Sequence, residues 1–180
     1  MQDTLPIHFA PLQGYTEAIY RNAHDAFFGG VDTYYTPFVR LEKGNFRRRD
    51  VRGIEPENNG VTHLIPQLIA SSAEKAEVIL SLFIEKGYQE VDINLGCPFP
   101  LLAKRHNGSG ILPYPEEVKA LLSIVTRYPQ ISFSVKMRLG WEQPDECLAL
   151  APILNDLPLR QITMHPRLGK QGYKLSLIHI

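Results

Sequence analysis

The chain has 180 residues, 44% of them hydrophobic, which is enough apolar material for one well-packed domain. Charged residues make up 21%, and 19 basic side chains cancel 19 acidic ones, so a wholly polyanion-coating protein is excluded while local basic patches are not. Two cysteines, Cys97 and Cys147, make no disulfide framework, the first residues lack a signal peptide's basic and apolar regions, and no apolar run approaches the ~20 residues of a membrane span. The expected protein is soluble and cytoplasmic, with reduced thiols and no membrane partner.

Residues 7–10 read as a short strand ended by Pro11. Thr16 is placed to cap a helix to about Phe28, with Ile19, Ala23 and Phe27 on one face. Residues 31–39 are β-rich. From 42 to 60 no apolar period is found; this long excursion carries Lys43, Arg47, Arg48, Arg49 and Arg52, a basic patch or simply a solvated loop, joined loosely by Lys104 and Arg105. Residues 61–69 form the next predicted strand. Ser71 with Glu74 has the spacing of a capping box, opening a helix that carries Ala76, Ile79, Leu80 and Phe83 and ends at Gly87.

The fourth strand, 91–95, brings Asn94 to its tip. The chain then turns at Gly96, presents Cys97, and is stopped by Pro98. A glycine-punctuated loop through His106, Gly108 and Gly110 follows, suited to holding an anion or hinging a lid. Pro115, Glu116 and Glu117 open a helix with Val118, Leu121, Leu122 and Val125 as its buried stripe. Residues 131–138 are strand five, 145–154 a helix and 161–165 strand six.

Alternating strands and helices predict an α/β protein with a parallel sheet, either doubly wound or a (β/α)8 TIM barrel. Side-chain parity favours the barrel. In strands four, five and six the odd and even positions divide into apolar and polar sets, whereas a sheet covered on both faces should be apolar throughout. About six of the eight βα units are visible, in a segment shorter than the ~250 residues a barrel typically needs. The last six residues, 175–180, resemble the in-frame translation of a sequencing-library adaptor. The native barrel sequence is therefore expected over 1–174, with a non-native tail after it.

The polar residues nearest successive strand ends are Gln13, Gln67, Asn94 then Cys97, Lys136 then Arg138, and His165. Each has a bland reading; a strand-end amide often serves only loop backbone, and a lone His is more often structural than catalytic. An inward Lys is harder to dismiss, because a buried unpaired ammonium is costly. Metal-ligand spacing, GxGxxG and Walker patterns are all missing, so no metal is expected. A fixed cation beside amide groups suits a flat, polar, electron-accepting ring such as a flavin.

Five segments carry a resemblance. Ala10-Pro11-Leu12-Gln13-Gly14-Tyr15-Thr16, Pro66-Gln67-Leu68, Asp92-Ile93-Asn94-Leu95-Gly96-Cys97-Pro98, Val135-Lys136-Met137-Arg138-Leu139-Gly140 and Met164-His165-Pro166-Arg167 occur in this order. Together they resemble the tRNA-dihydrouridine synthases over residues 5–174. The resemblance implies an FMN-containing barrel followed by a small helical tRNA-binding domain, the latter absent from this segment, and a monomer that uses NADPH to reduce chosen uridines of tRNA.

On that resemblance Pro11, Leu12, Gln13, Gln67, Lys136 and His165 would hold the flavin, with Lys136 at its N1/O2 side. Asn94 and Arg138 would meet the substrate. Cys97 would be the general acid, giving a proton to C5 after hydride passes from flavin N5 to C6 of uracil. The loop from 98 to 112 would be its lid, and the uridine would leave its stack to reach the site. Two other readings stand beside this one: a lyase barrel in which Lys136 forms a Schiff base with a carbonyl substrate, and a non-catalytic fragment.

Overall fold

The computed structural model describes residues 5–172, so the tail expected at 175–180 lies outside the described residues. The strands β1 (His8–Phe9), β2 (Thr33–Tyr35), β3 (Leu41–Glu42), β4 (Asn45–Phe46), β5 (Leu64–Ile65), β6 (Gln67–Leu68), β7 (Glu90–Leu95), β8 (Ser132–Gly140) and β9 (Leu159–Leu168) form three sheets. One has the order β1-β2-β5 and another β6-β7-β8-β9, both parallel throughout; β3 and β4 make an antiparallel hairpin. This is an α/β fold with parallel sheets.

The single strand expected at 61–69 is split in two by Pro66. Lacking an N–H, Pro66 cannot donate to a ladder. Its carbonyl accepts from Asp92 N at 3.0 Å, and here the chain passes from pairing with β2 to pairing with β7. Among the described residues the parallel strands thus follow one another in sequence order within each sheet.

The helices are α1 (Ala18–Phe27), α2 (Arg48–Ile54), α3 (Ala73–Glu85), α4 (Pro100–Ala103), α5 (Pro115–Leu122), α6 (Ile124–Arg127) and α7 (Glu146–Asn155). The predicted stripes of two helices face the core: Ile79, Leu80 and Phe83 of α3 and Val118, Leu121 and Leu122 of α5, joined by Leu150 and Leu154 of α7, share one core with Val91, Ile93 and Leu95 of β7 and Phe133, Val135 and Met137 of β8. Each such side chain contributes about 1.5–3 kcal/mol by its burial. The even residues of β7 and β8 are thereby turned to the opposite, polar face, as the parity requires.

Three local expectations are corrected. Thr16 does not cap α1; its hydroxyl is taken by Leu12, accepting from the amide at 2.9 Å, and the helix starts one residue after Glu17. The cap of α3 is Ser72 rather than Ser71, accepting from Lys75 N at 3.5 Å, while Ser71 receives the Lys75 ammonium at 2.9 Å. The expected apolar face of α1 is exposed, Ile19 by 82% and Phe27 by 83%, and Arg21 is the buried residue instead.

The basic side chains of Lys43, Arg48, Arg49 and Arg52 are exposed, as a solvated stretch requires, while Arg21 anchors the end of the excursion to α1. Its guanidinium donates to Thr16 O at 2.6 Å, Gly53 O at 2.8 Å and Asn59 Oδ1 at 2.5 Å, tying α1 to the end of α2. Ile54 at the end of α2 is fully buried and its carbonyl accepts from the Tyr88 hydroxyl at 2.8 Å. Burial lowers the Arg21 pKa to about 10, against a weaker opposing pull from Glu17, so the group stays charged at neutral pH. Arg21→Met is expected to cost about 3 kcal/mol by leaving these acceptors without their donor, read as a lower urea midpoint at unchanged slope.

Candidate active site

The polar face of the four-stranded sheet is organised in rows by the strand register. Gln67 lies beside Asp92, Asp92 beside Ser134 and Ser134 beside Gln161; one step toward the strand ends Asn94 pairs with Lys136 and Lys136 with Thr163; beyond these Arg138 pairs with His165. Above the last rows lies a cavity of about 640 Å³. All nine candidate residues drawn from the sequence line it: Pro11, Leu12, Gln13, Gln67, Asn94, Cys97, Lys136, Arg138 and His165. Among the described residues no carboxylate lines it, while Lys104, Lys136, Arg138 and Lys170 do, which suits an anionic ligand.

The thiol-bearing turn is tightly fixed. Asn94 Oδ1 accepts from Gly96 N at 3.0 Å and from Cys97 N at 2.8 Å, and the Cys97 carbonyl accepts from both the amide and the hydroxyl of Ser109 at 3.0 Å. Cys97 packs against Phe38, Ile69 and Leu102. Burial in these apolar surroundings pushes the thiol pKa up, and the Phe99 amide, Arg138 and Arg40 only partly oppose it. The thiol is therefore protonated at neutral pH, a proton donor rather than a thiolate.

The segment expected as a lid is folded. Residues 98–112 contain α4 and a 3₁₀ turn, Gly108–Ile111, whose residues are buried against the Cys97 backbone. Gly108 sits at φ +60°, and a Cβ there would stand 2.6 Å from the Cys97 carbonyl oxygen. Gly108→Ala is therefore expected to cost about 2–4 kcal/mol from left-handed strain plus overpacking, measured by denaturant melt, and to displace the Cys97 turn.

Lys136 reaches the cavity without a hydrogen bond or ion pair among the described residues. Burial lowers its pKa, Asp92 raises it and Arg138 lowers it further. His165 is held down to about 4 by burial and by the charges of Arg138, Lys136 and Arg167, so its ring is neutral at pH 7. Arg138 is 1% exposed and serves as a latch: Nε donates to Gly96 O at 3.0 Å, and Nη1 to Leu168 O at 2.7 Å and Gly172 O at 3.2 Å. Both polar atoms of the Gln13 amide are buried with no hydrogen-bond partner among the described residues.

Several lining residues escape sequence reasoning. Phe38 follows the second strand, and Trp141, whose carbonyl accepts from Lys170 N at 3.2 Å, joins the loops after β8 and β9. Trp141 is the only tryptophan of the chain and stands directly after the Lys-Met-Arg-Leu-Gly strand end, which was its signal. Among the described residues no group of three or more His, Cys, Asp or Glu side chains is placed to hold a metal ion, and no helix is long and apolar enough to cross a membrane.

The strand ends of a parallel α/β sheet thus gather a buried thiol, a lysine ammonium and amide groups around one cavity, the arrangement of a ligand-binding α/β protein. Comparison with known proteins supplies the family: residues 8–179 match the model for dihydrouridine synthase (Dus), and the chain belongs to that family. It is 29% identical over 171 residues to the probable tRNA-dihydrouridine synthase 1 of Synechocystis, covering 91% of this chain and 46% of the relative. It is 30% identical over 178 residues to the tRNA-dihydrouridine(16) synthase of Pseudomonas syringae pv. tomato, covering 94% and 56%. The corresponding enzyme of Haemophilus ducreyi is 27% identical, over 96% of this chain and 55% of its own length. The chain spans about half the length of these relatives.

Proposed function

We propose that this chain is the catalytic part of a flavin-dependent enzyme that reduces uridines of tRNA to dihydrouridine, with FMN as cofactor and NADPH as reductant. The observation that carries the reading is the meeting of Cys97 and Lys136 in one cavity that no described carboxylate lines. The family match supports it over a Schiff-base lyase built on Lys136.

The residues present fit a flavin. The orphaned Gln13 amide offers a donor and an acceptor to a ring edge, and Gln67 and Asn94 each keep one N–H beyond those already engaged. Lys136 offers positive charge where a reduced ring carries negative charge, and neutral His165 adds a donor or acceptor. Pro11 and Leu12 supply apolar contact. A bound flavin would supply hydride to the uracil ring. Cys97 holds the proton for C5, and its apolar wall of Phe38, Ile69 and Leu102 keeps water from competing. Arg138 acts by shaping the mouth through Gly96, Leu168 and Gly172, and meets substrate through that shape.

The barrel completes the reading. Among the described residues β1 and β9 each pair on one side only, and Ile162 and Met164 of β9 and Ile19 and Phe27 of α1 stand exposed. Two further βα units and a helical tRNA-binding domain, supplied by sequence of the relatives' length, would cover these surfaces; the whole acts as a cytoplasmic monomer. The test is flavin binding to a chain of that length: expected are yellow protein, released FMN and uridine reduction on tRNA with NADPH. Borohydride trapping of a carbonyl substrate on Lys136, with no flavin bound, would overturn the proposal.

A further inference from the structure

Asp92 does not line the cavity, yet a continuous hydrogen-bond chain leads from it to the thiol-bearing turn. Its Oδ1 accepts from the Ser134 hydroxyl at 2.6 Å and its Oδ2 from Gln67 Nε2 at 2.6 Å. Gln67 Oε1 accepts from Asn94 Nδ2 at 2.7 Å. Asn94 Oδ1 then accepts from the amides of Gly96 and Cys97. Asp92, Ser134 and Gln67 are each at most 2% exposed, and Asn94 is 8% exposed.

The ends of this chain give it a direction. Backbone N–H groups can only donate, so Asn94 must present its oxygen to residues 96 and 97 and its NH₂ to Gln67. Gln67 must then present its oxygen to Asn94 and its NH₂ to Asp92; burial raises the Asp92 pKa, while the bonds from Ser134 and Gln67 and the charges of Lys136 and Arg160 favour the carboxylate, which accepts there without offering an alternative. A carboxamide at position 92 would accept or donate and so fail to choose between the two orientations of Gln67. Reversing Asn94 would leave two part-buried backbone N–H groups facing an NH₂, and reversing Gln67 would set its NH₂ against that of Asn94 and its oxygen against the Asp92 carboxylate, at about 1–3 kcal/mol for each group left unpaired.

We propose that Asp92 is the positioning residue of the Cys97 turn: its carboxylate terminates a one-way relay through Gln67 and Asn94 that orients the backbone carrying the thiol. The assignment deepens the functional reading, on which it rests for the purpose of the turn; the relay itself needs neither flavin nor RNA. The same orientation leaves the second N–H of Gln67 and of Asn94 as the groups offered from this edge. The relay therefore matches a ligand that presents acceptors there.

The thiol reports the state of the turn directly. The charged groups around it are Arg138 from β8, Arg40 from the segment after β2, and the cavity-lining Lys104 and Lys136; no described carboxylate lines the same space. Its raised pKa comes first from burial, so a turn released from Asn94 exposes the thiol and lets the pKa fall. The experiment is alkylation of Cys97 by iodoacetamide across alkaline pH, in a Cys147→Ser background so that a single thiol reacts. Asp92→Leu is expected to lower the alkylation midpoint by about half a pH unit or more, which is about threefold faster reaction below the midpoint.

The double exchange Asp92→Asn with Gln67→Glu places an amide at position 92 and a carboxylate at position 67. That carboxylate accepts from the new side-chain amide on one side and from Asn94 on the other, so the Asn94 orientation is kept and the midpoint returns to the wild-type value or above. Val91→Ala, on the opposite face of the same strand, controls for plain destabilisation and is expected to lower the melting temperature without moving the midpoint. If Asp92→Leu gives no cooperative melt, Asp92→Asn alone takes its place with the same expected direction. A wild-type midpoint in the position-92 variant, a midpoint that stays low in the double exchange, or an equal shift in Val91→Ala overturns the assignment. Failure to bind flavin would overturn the functional reading and leave this result standing.

Discussion

Cys97→Ala, in a chain of the relatives' length, is expected to slow dihydrouridine formation by about 100- to 10,000-fold, the usual worth of a positioned general acid, with flavin still bound. Asn94 and Ser109 hold the Cys97 backbone from both sides, so the thiol stands at one place in the cavity. Burial raises its pKa above the ordinary cysteine value, so the proton-donating form persists through the neutral range and is lost only as pH rises through that raised value. The wild-type rate should accordingly be flat across neutral pH and fall in the alkaline range. In Cys97→Ala that alkaline limb should vanish together with most of the rate. Stopped single-turnover reduction of tRNA across pH measures both, and normal turnover by the alanine variant would remove Cys97 from the chemistry.

How much of this is legible in the sequence depends on the kind of signal each residue leaves. Odd-even parity in 131–138 is a strong one, because a strand with helices on one face and a polar space on the other must alternate, and Phe133, Val135 and Met137 do lie in the core with Lys136 and Arg138 on the other side. The gathering of Gln13, Gln67, Asn94, Cys97, Lys136 and His165 follows from that parity plus parallel order. Arg21 is illegible. A buried arginine inside an apolar helical period inverts the expected face of α1, and its partners Gly53 and Asn59 stand more than 30 residues away. The segment 98–112 misleads for a related reason: its glycines suggest hinges, but Gly108 and Gly110 are required by close approach to Cys97 and Ala103. The relay through Asp92 is in plain view as three polar residues, yet its direction needs the turn geometry at Asn94.

Lys136→Met is the second large effect, and its two halves carry opposite signs. Loss of the cation is expected to weaken flavin binding by about 10- to 100-fold, the range of a charge-assisted hydrogen bond at about 1.5–3 kcal/mol. Lys136→Arg should not restore it, because the planar fork of a guanidinium cannot replace a compact ammonium at the same strand position. The apoprotein should meanwhile melt no lower than wild type. An ammonium whose pKa is lowered by burial carries a desolvation cost in the free protein, and methionine of similar shape does not. Asp92 loses a nearby positive charge in this variant but keeps its bonds from Ser134 and Gln67, so the core below the cavity stays satisfied. Flavin fluorescence titration and thermal melts of the same preparations separate the halves. Lower flavin affinity with unchanged or higher stability is the signature of a side chain kept for its ligand, and a parallel loss of both would make Lys136 a structural residue.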